Sequence, residues 1–131
     1  MKPRSCALIK NHAGEVLLMK RTKNENVYWV VPGGSIEKGE LPEDAAIREA
    51  FEETSLVVTK LREAFKNTNE GRTEHYFEII SYEGTVGLGE GPEQIRQHSL
   101  NRYEPKWVPI SFLDEINLQP SSIVEKLIEL W

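Results

Sequence analysis

Apolar residues along this chain fall into short runs separated by turn formers, and only two stretches carry helical spacing. Residues 5–9 and 15–19 are apolar runs joined by Asn11-His12-Ala13-Gly14, so they read as a β-hairpin. A third run, 27–31, is stopped by Pro32-Gly33-Gly34. From 41 to 54 the apolar spacing becomes helical. Residues 56–65, 74–82 and 103–110 carry the β-branched and aromatic side chains of strands, interrupted at 67–71 and at the glycine-bearing stretch 84–91. Residues 121–130 predict a closing amphipathic helix, with Ser121 or Ser122 available as N-cap after Pro120.

Strands, a helix, more strands and a helix, in that order, predict an α+β fold: a mixed β-sheet between helices, layered as an α/β/α sandwich. The chain has 131 residues. That length fits a single domain over 1–131, because the roughly forty residues after the glycine-bearing stretch are too few for a second core. No internal repeat or linker breaks the pattern.

Charge narrows the ligand class. The formal net charge of -5 argues against a surface that tracks a nucleic-acid duplex, which needs clustered Lys and Arg. A small anionic ligand stays compatible if a metal neutralises it locally. Cys6 is the only cysteine, so neither an internal disulfide nor a thiolate zinc site is expected. No apolar run approaches the roughly 20 residues that span a bilayer, and the first residues lack the pattern of a signal peptide. A cytoplasmic protein with no membrane partner is expected.

The helix at 41–54 holds the candidate chemistry. At 100° per residue, Glu49, Glu52 and Glu53 share one face, with Ile47, Ala50, Phe51 and Thr54 opposite. Ala45 and Ala46 lie on the acidic face, where small side chains would leave room for a ligand. Like charges at these spacings cost a few tenths of a kcal/mol per pair, and no Lys four positions later offsets them. A hard divalent cation would supply the compensation, and a solvated helix surface explains the same residues without one. The preceding Pro32-Gly33-Gly34 permits close approach of backbone to a ligand, or forms a plain turn. Leucine at position 41 cannot cap the helix before Pro42, so its start leans on Glu43 and Asp44 at the positive end of the dipole.

Position by position a longer pattern runs from Gly34: five residues, Glu40, seven residues, then Arg48-Glu49-Ala50-Phe51-Glu52-Glu53-Thr54-Ser55-Leu56. This resembles the box of the Nudix hydrolase family, the mutator-type nucleotide pyrophosphohydrolases, written GX5EX7REUXEEXGU with U apolar. Every fixed position matches except Ser55, which stands where the family has glycine. A serine there costs roughly 1 kcal/mol if the helix exit is left-handed.

The resemblance implies a Nudix fold and hydrolysis of a phosphoanhydride bond by water attack on phosphorus. The implied substrate is small and nucleotide-like: a nucleoside diphosphate linked to another group, or a nucleoside triphosphate. By similarity, Glu49, Glu52 and Glu53 would ligate Mg2+ or Mn2+ with the Gly33 carbonyl. Glu52 or Glu53 would take a proton, with Glu93, or Glu90, as an acid from outside the box. Glu40 and Arg48 would form a structural ion pair, although spacing alone equally permits Arg48 to pair with Asp44 or Glu52. Arg21 would reach substrate phosphate, with Trp29 lining the same cleft and Gly34 beside the ligand. A surface arginine and a core tryptophan are the plain alternatives. Tyr82, Trp107 and Tyr103 read as core, His12, His75 and His98 as scattered, and Trp131 as packing or a homodimer contact. Two other classes share the pattern: a Nudix-fold sensor that binds a nucleotide without cleaving it, and a structural domain whose acidic helix is merely solvated.

Overall fold

The computed structural model describes residues 2–87 and 101–131, and in them two four-stranded sheets stand between two α-helices. The first sheet is formed by β1 (Arg4–Leu8), β4 (Gly33–Ser35), β5 (Val57–Asn69) and β6 (Arg72–Glu83), in the order β4-β1-β6-β5. The second holds β2 (Glu15–Lys23), β3 (Asn26–Val30), β7 (Asn101–Pro109) and β8 (Leu118–Gln119), in the order β7-β2-β3-β8. Both are mixed, since β1 runs parallel to β6 and β3 parallel to β8.

The expected hairpin of 5–9 with 15–19 needs correction. The turn is there: Asn11 Oδ1 accepts from the amides of Ala13 and Glu15, and Lys10 bridges to Val16. Beyond it the strands part, β1 to the first sheet and β2 to the second. The cause lies in β1 itself, where Cys6 and Leu8 bury on one face while Ala7 and Ile9 bury on the other. A run apolar on both faces belongs in the middle of a covered sheet. The break expected at 67–71 is tighter than the pattern implied. Only Glu70 and Gly71 turn the chain, at φ 52° and 82°, as a two-residue hairpin loop with both centres left-handed requires.

Helix α1 (Pro42–Thr54) covers the first sheet. Leu41 flanks it without a side-chain cap, Pro42 opens it, and Glu43 and Asp44 fill the first turn. It packs through Ala46 and Ala50 against Ala7, Phe77 and Val58. Alanine contacts seat the helix close to β1, so Ala45 and Ala46 are wholly buried and line no ligand space. Phe51, expected on the packed side, faces solvent at 45 % exposure. The helix ends at Ser55, whose φ of 69° is left-handed and whose amide donates to the Phe51 carbonyl at 2.9 Å.

The opposite side is closed by a 3-10 turn (Ser121–Ile123) and α2 (Val124–Leu130), which bury Ile123 and Leu127 beside Leu8, Leu18 and Leu118. Neither serine caps this helix; Ser122 Oγ instead exchanges hydrogen bonds with the Asn67 side chain. Tyr82 and Trp107 pack on the α1 side as expected, and Trp131 on the α2 side.

The Ser55 conformation gives a direct test. Ser55→Gly should raise the unfolding free energy by about 0.5–1 kcal/mol by relieving the left-handed strain. Urea titration reads this as a higher midpoint at unchanged slope, and an unchanged or lower midpoint would refute it.

Candidate active site

Arg48 organises the acidic face. Its Nε donates to Glu40 Oε2 at 2.8 Å and its Nη2 to Glu40 Oε1 at 3.0 Å, a forked charge-assisted pair. Nη2 also reaches the Ser35 carbonyl at 3.0 Å, and Nη1 reaches Glu49 Oε1 at 2.9 Å and Glu52 Oε2 at 3.3 Å. One guanidinium thus joins the loop after β4 to three acids. Arg48 and the Glu37 amide together hold the Glu40 carboxyl down at about 2.

The two loop glycines do different work. Gly33 lies against β1, and a Cβ there would stand 2.4 Å from the Ser5 carbonyl oxygen and 2.8 Å from Cys6 Cα. Its amide donates to Glu53 Oε1 at 3.2 Å, fixing a carboxylate that is only 5 % exposed. At Gly34 a Cβ would instead meet the Glu49 carboxylate, 2.4 Å from Oε1. Close backbone approach at Gly33 and a seat for Glu49 at Gly34 both depend on the missing side chains.

Beside Glu53 and Gly33 opens a cleft of about 200 Å3, lined also by Arg4, Met19, Arg21, Val30 and Tyr103. Arg21 donates from Nη2 to the Tyr103 hydroxyl, and its guanidinium carbon lies 4.1 Å from the Tyr103 ring centroid and 5.4 Å from that of Tyr28. Its Nε is buried with no hydrogen-bond partner among the described residues. Trp29 does not share this cleft. It pairs with Lys20, one position out of step with the Arg21–Tyr28 pair, so its ring falls on the other face of the sheet against the α2-side core. Tyr103, read as core, is a cleft residue.

A second cavity of about 280 Å3 adjoins on the α2 side, lined by Arg4, Val30, Val31, Asn69, Glu74, Tyr76 and Pro120 among others. Glu74 is 3 % exposed and accepts from the Tyr76 hydroxyl at 3.0 Å and from Asn67 at 3.2 Å. Sequence reading missed Arg4, Glu74 and Tyr103. The available signal for the first two was a charged residue opening or interrupting an otherwise apolar strand. His12 sits in the first turn, and His75 Nδ1 lies 3.9 Å from Glu63, away from the acids. Glu90, Glu93 and His98 lie outside the described residues.

Glu53 lines the cleft, and Glu49 and Glu52 lie on the same helix within reach of Arg48, so the charged donors that α1 supplies are carboxylate oxygens. This is the donor set of a hard divalent cation. Among the described residues the acids do not converge into a ready-made cluster of three ligands: Glu49 and Glu52 turn to Arg48, and Glu53 to the Gly33 amide. No helix among the described residues is long and apolar enough to cross a membrane.

Two mixed sheets between helices, with an acidic helix clamped to a glycine strand, define an α+β domain carrying an oxygen-donor site. The model of the NUDIX domain matches residues 2–126, and the chain belongs to that family. It is 37% identical over 93 residues to an RNA pyrophosphohydrolase of Azorhizobium caulinodans, a match covering 54% of this chain and 55% of that one. It is 43% identical over 49 residues to an RNA pyrophosphohydrolase of Roseobacter denitrificans, covering 37% of this chain and 31% of that one. The matches thus span about half and about a third of these relatives' lengths. A solved MutT structure, from a study of Aliivibrio salmonicida and Vibrio cholerae proteins, superposes with a TM-score of 0.79 at 21% identity, covering 99% of this chain and 98% of that one. At that identity the likeness is one of fold.

Two tests follow from this geometry. The Glu40 carboxyl is lowered from 4.5 to about 2, so its stabilisation is fully present above pH 4.5 and is lost as pH falls through about 2. The stability gap between wild type and Glu40→Gln, from urea unfolding at several pH values, should therefore be flat above pH 5 and close in acid. A gap that does not change with pH would contradict the assignment. The glycines should separate in the same way. Gly33→Ala, meeting backbone, is expected to cost about 1–3 kcal/mol of stability. Gly34→Ala should leave unfolding near wild type while cutting turnover about 10²-fold through displacement of Glu49. Equal stability losses in the two variants would defeat the distinction.

Proposed function

We propose that this chain is a Nudix hydrolase that cuts a phosphoanhydride bond in a small nucleotide-like substrate, by water attack on phosphorus. The substrate class is a nucleoside diphosphate linked to another group, or a nucleoside triphosphate. The observation that carries this reading is that Glu53 and Gly33 line the cleft together with Arg21, with Glu49 and Glu52 on the same helix and held by Arg48. Family membership and relatives named as pyrophosphohydrolases support it.

Glu49, Glu52, Glu53 and the Gly33 carbonyl would hold Mg2+ or Mn2+. Bound there, the cation would neutralise anhydride oxygens and acidify the attacking water. Glu53 is fixed by the Gly33 amide and Glu49 by Arg48 in the seat that Gly34 leaves. Glu52 is the least committed: its one contact to Arg48 is long, at 3.3 Å, and its side chain is 31% exposed. A loosely held carboxylate is the one able to accept the water's proton. Arg21 binds a phosphate oxygen through its forked donors, stiffened by the tyrosines at its faces. Arg48 and Glu40 hold the loop to the helix without touching substrate.

The test is a Mg2+-supplemented screen of nucleoside triphosphates, sugar nucleotides, dinucleotides, ADP-ribose and a 5′-triphosphorylated RNA end, with products identified. Glu52→Gln should lower turnover of the best substrate by about 10²–10⁴-fold with the fold unchanged by circular dichroism. Binding without turnover across the panel would instead make the chain a nucleotide sensor, and full activity in Glu52→Gln would remove that residue from the mechanism.

A further inference from the structure

Arg4 belongs to no part of the box, yet it lines both the cleft beside Glu53 and the second cavity beside Glu74. It opens β1, with its Cα opposite Glu74 on one side and Ser35 on the other. We propose that Arg4 is an anion-binding residue, holding a phosphate oxygen of the substrate where the two cavities meet and selecting for substrates that place an anionic group there. The proposal rests on the hydrolase reading for the identity of the anion, and adds a recognition element that the family pattern does not contain.

The argument starts from how Arg4 is partnered. Its Nε reaches Cys6 Sγ at 3.4 Å. A thiol is a weak acceptor and a poor partner for a guanidinium. Among the described residues no carboxylate lies within ion-pair distance of Arg4. The other described arginines all donate to oxygen: Arg48 to Glu40, Arg62 to Glu78, Arg72 to Lys2 and Ser35, Arg102 to Glu104, and Arg21 to Tyr103. Glu74, opposite in register, is already committed to Tyr76 and Asn67. Glu53 lines the same cleft and favours the charged guanidinium, but no hydrogen bond joins the two among the described residues, so most donors of this part-buried group are left for a ligand. Its remaining donors form a fork suited to phosphate. Arg21, with its buried unpaired Nε, lines the same cleft and gives the anion a second cation.

The experiment compares wild type, Arg4→Met and Arg4→Lys by thermal unfolding in phosphate-free buffer containing Mg2+, with and without inorganic pyrophosphate, and by steady-state kinetics on the best substrate. Without pyrophosphate, Arg4→Met should melt close to the wild-type temperature, because the hydrogen bond it deletes is a weak one to a thiol. Its affinity for pyrophosphate, read from the concentration dependence of the melting temperature, should fall about 10–100-fold, the value of a hydrogen bond to a charged group. KM should rise by a similar factor with kcat nearly unchanged, and Arg4→Lys should recover part of both. If Arg4→Met melts lower or fails to fold, or binds pyrophosphate as wild type does, Arg4 is a structural residue and the proposal falls. The hydrolase reading is judged separately. Glu52→Gln should lose turnover, and Arg4-dependent stabilisation without turnover in wild type would retain the anion site while removing the hydrolase.

Discussion

Three glutamates within five positions on one helix repel one another, and the fold tolerates them because Arg48 stands among them. Its donors reach Glu40, Glu49, Glu52 and the Ser35 carbonyl, so a single side chain offsets part of the acidic charge and ties the strand–loop segment to α1. Lysine would not substitute, since a point charge on a flexible stem cannot fork to Glu40 while holding two more carboxylates. The side chain is 29% exposed, and the Glu40 carboxylate it grips is 17% exposed. The pair is therefore screened less than a surface ion pair and fixes geometry more firmly. With the loop anchored, Gly33 can lie against β1 and offer its amide to Glu53.

β1 is the other fixed point. Its short side chains Ser5, Cys6 and Ala7 let three elements approach one strand: β4 on one edge, β6 on the other and α1 across one face. Ser5 Oγ donates to the Pro42 carbonyl at 2.7 Å, which ties the start of α1 to the same strand that Gly33 touches. The acids owe their position to this crowding. Alanines bring α1 down close enough that Glu49 and Glu53, on its flank, reach the backbone of β4 rather than bulk water.

Much of this was legible in sequence, and what was not shares one physical origin. Helical spacing located α1 within a residue, and the αL exit at Ser55 followed from where the pattern placed a glycine. The conformation was kept although the residue changed. Strand existence was legible from composition, whereas strand partners were not, because an apolar run does not say which edge it will join. The parting of β1 from β2 is of that kind. Facing is subtler still: Trp29 and Tyr28 are adjacent, and a pairing register alone sends one to the α2-side core and the other to the Arg21 guanidinium. Tyr103 reaches the cleft because it pairs with Arg21 across β2 and β7, a contact spanning 82 positions that no local window contains. The closing serines failed as caps for a related reason, since Asn67, far away in sequence, competes for Ser122.

The acids and the arginines divide the cleft between them, and that division decides what it can hold. Glu53 and Gly33 line it together with Arg21 and Arg4, so neither a bare cation nor a bare anion finds every group complementary. A metal cation alone would leave the arginines unanswered, and an anion alone would meet the carboxylates. A ligand that brings both signs together, such as a phosphate chain with its divalent counter-ion, would meet both at once. By linkage, each partner must then raise the affinity of the other by the same factor. The cooperativity follows from where the charges stand and requires no movement of the fold. It also gives a reason for a part-buried arginine and a row of like charges to concentrate around the same strand.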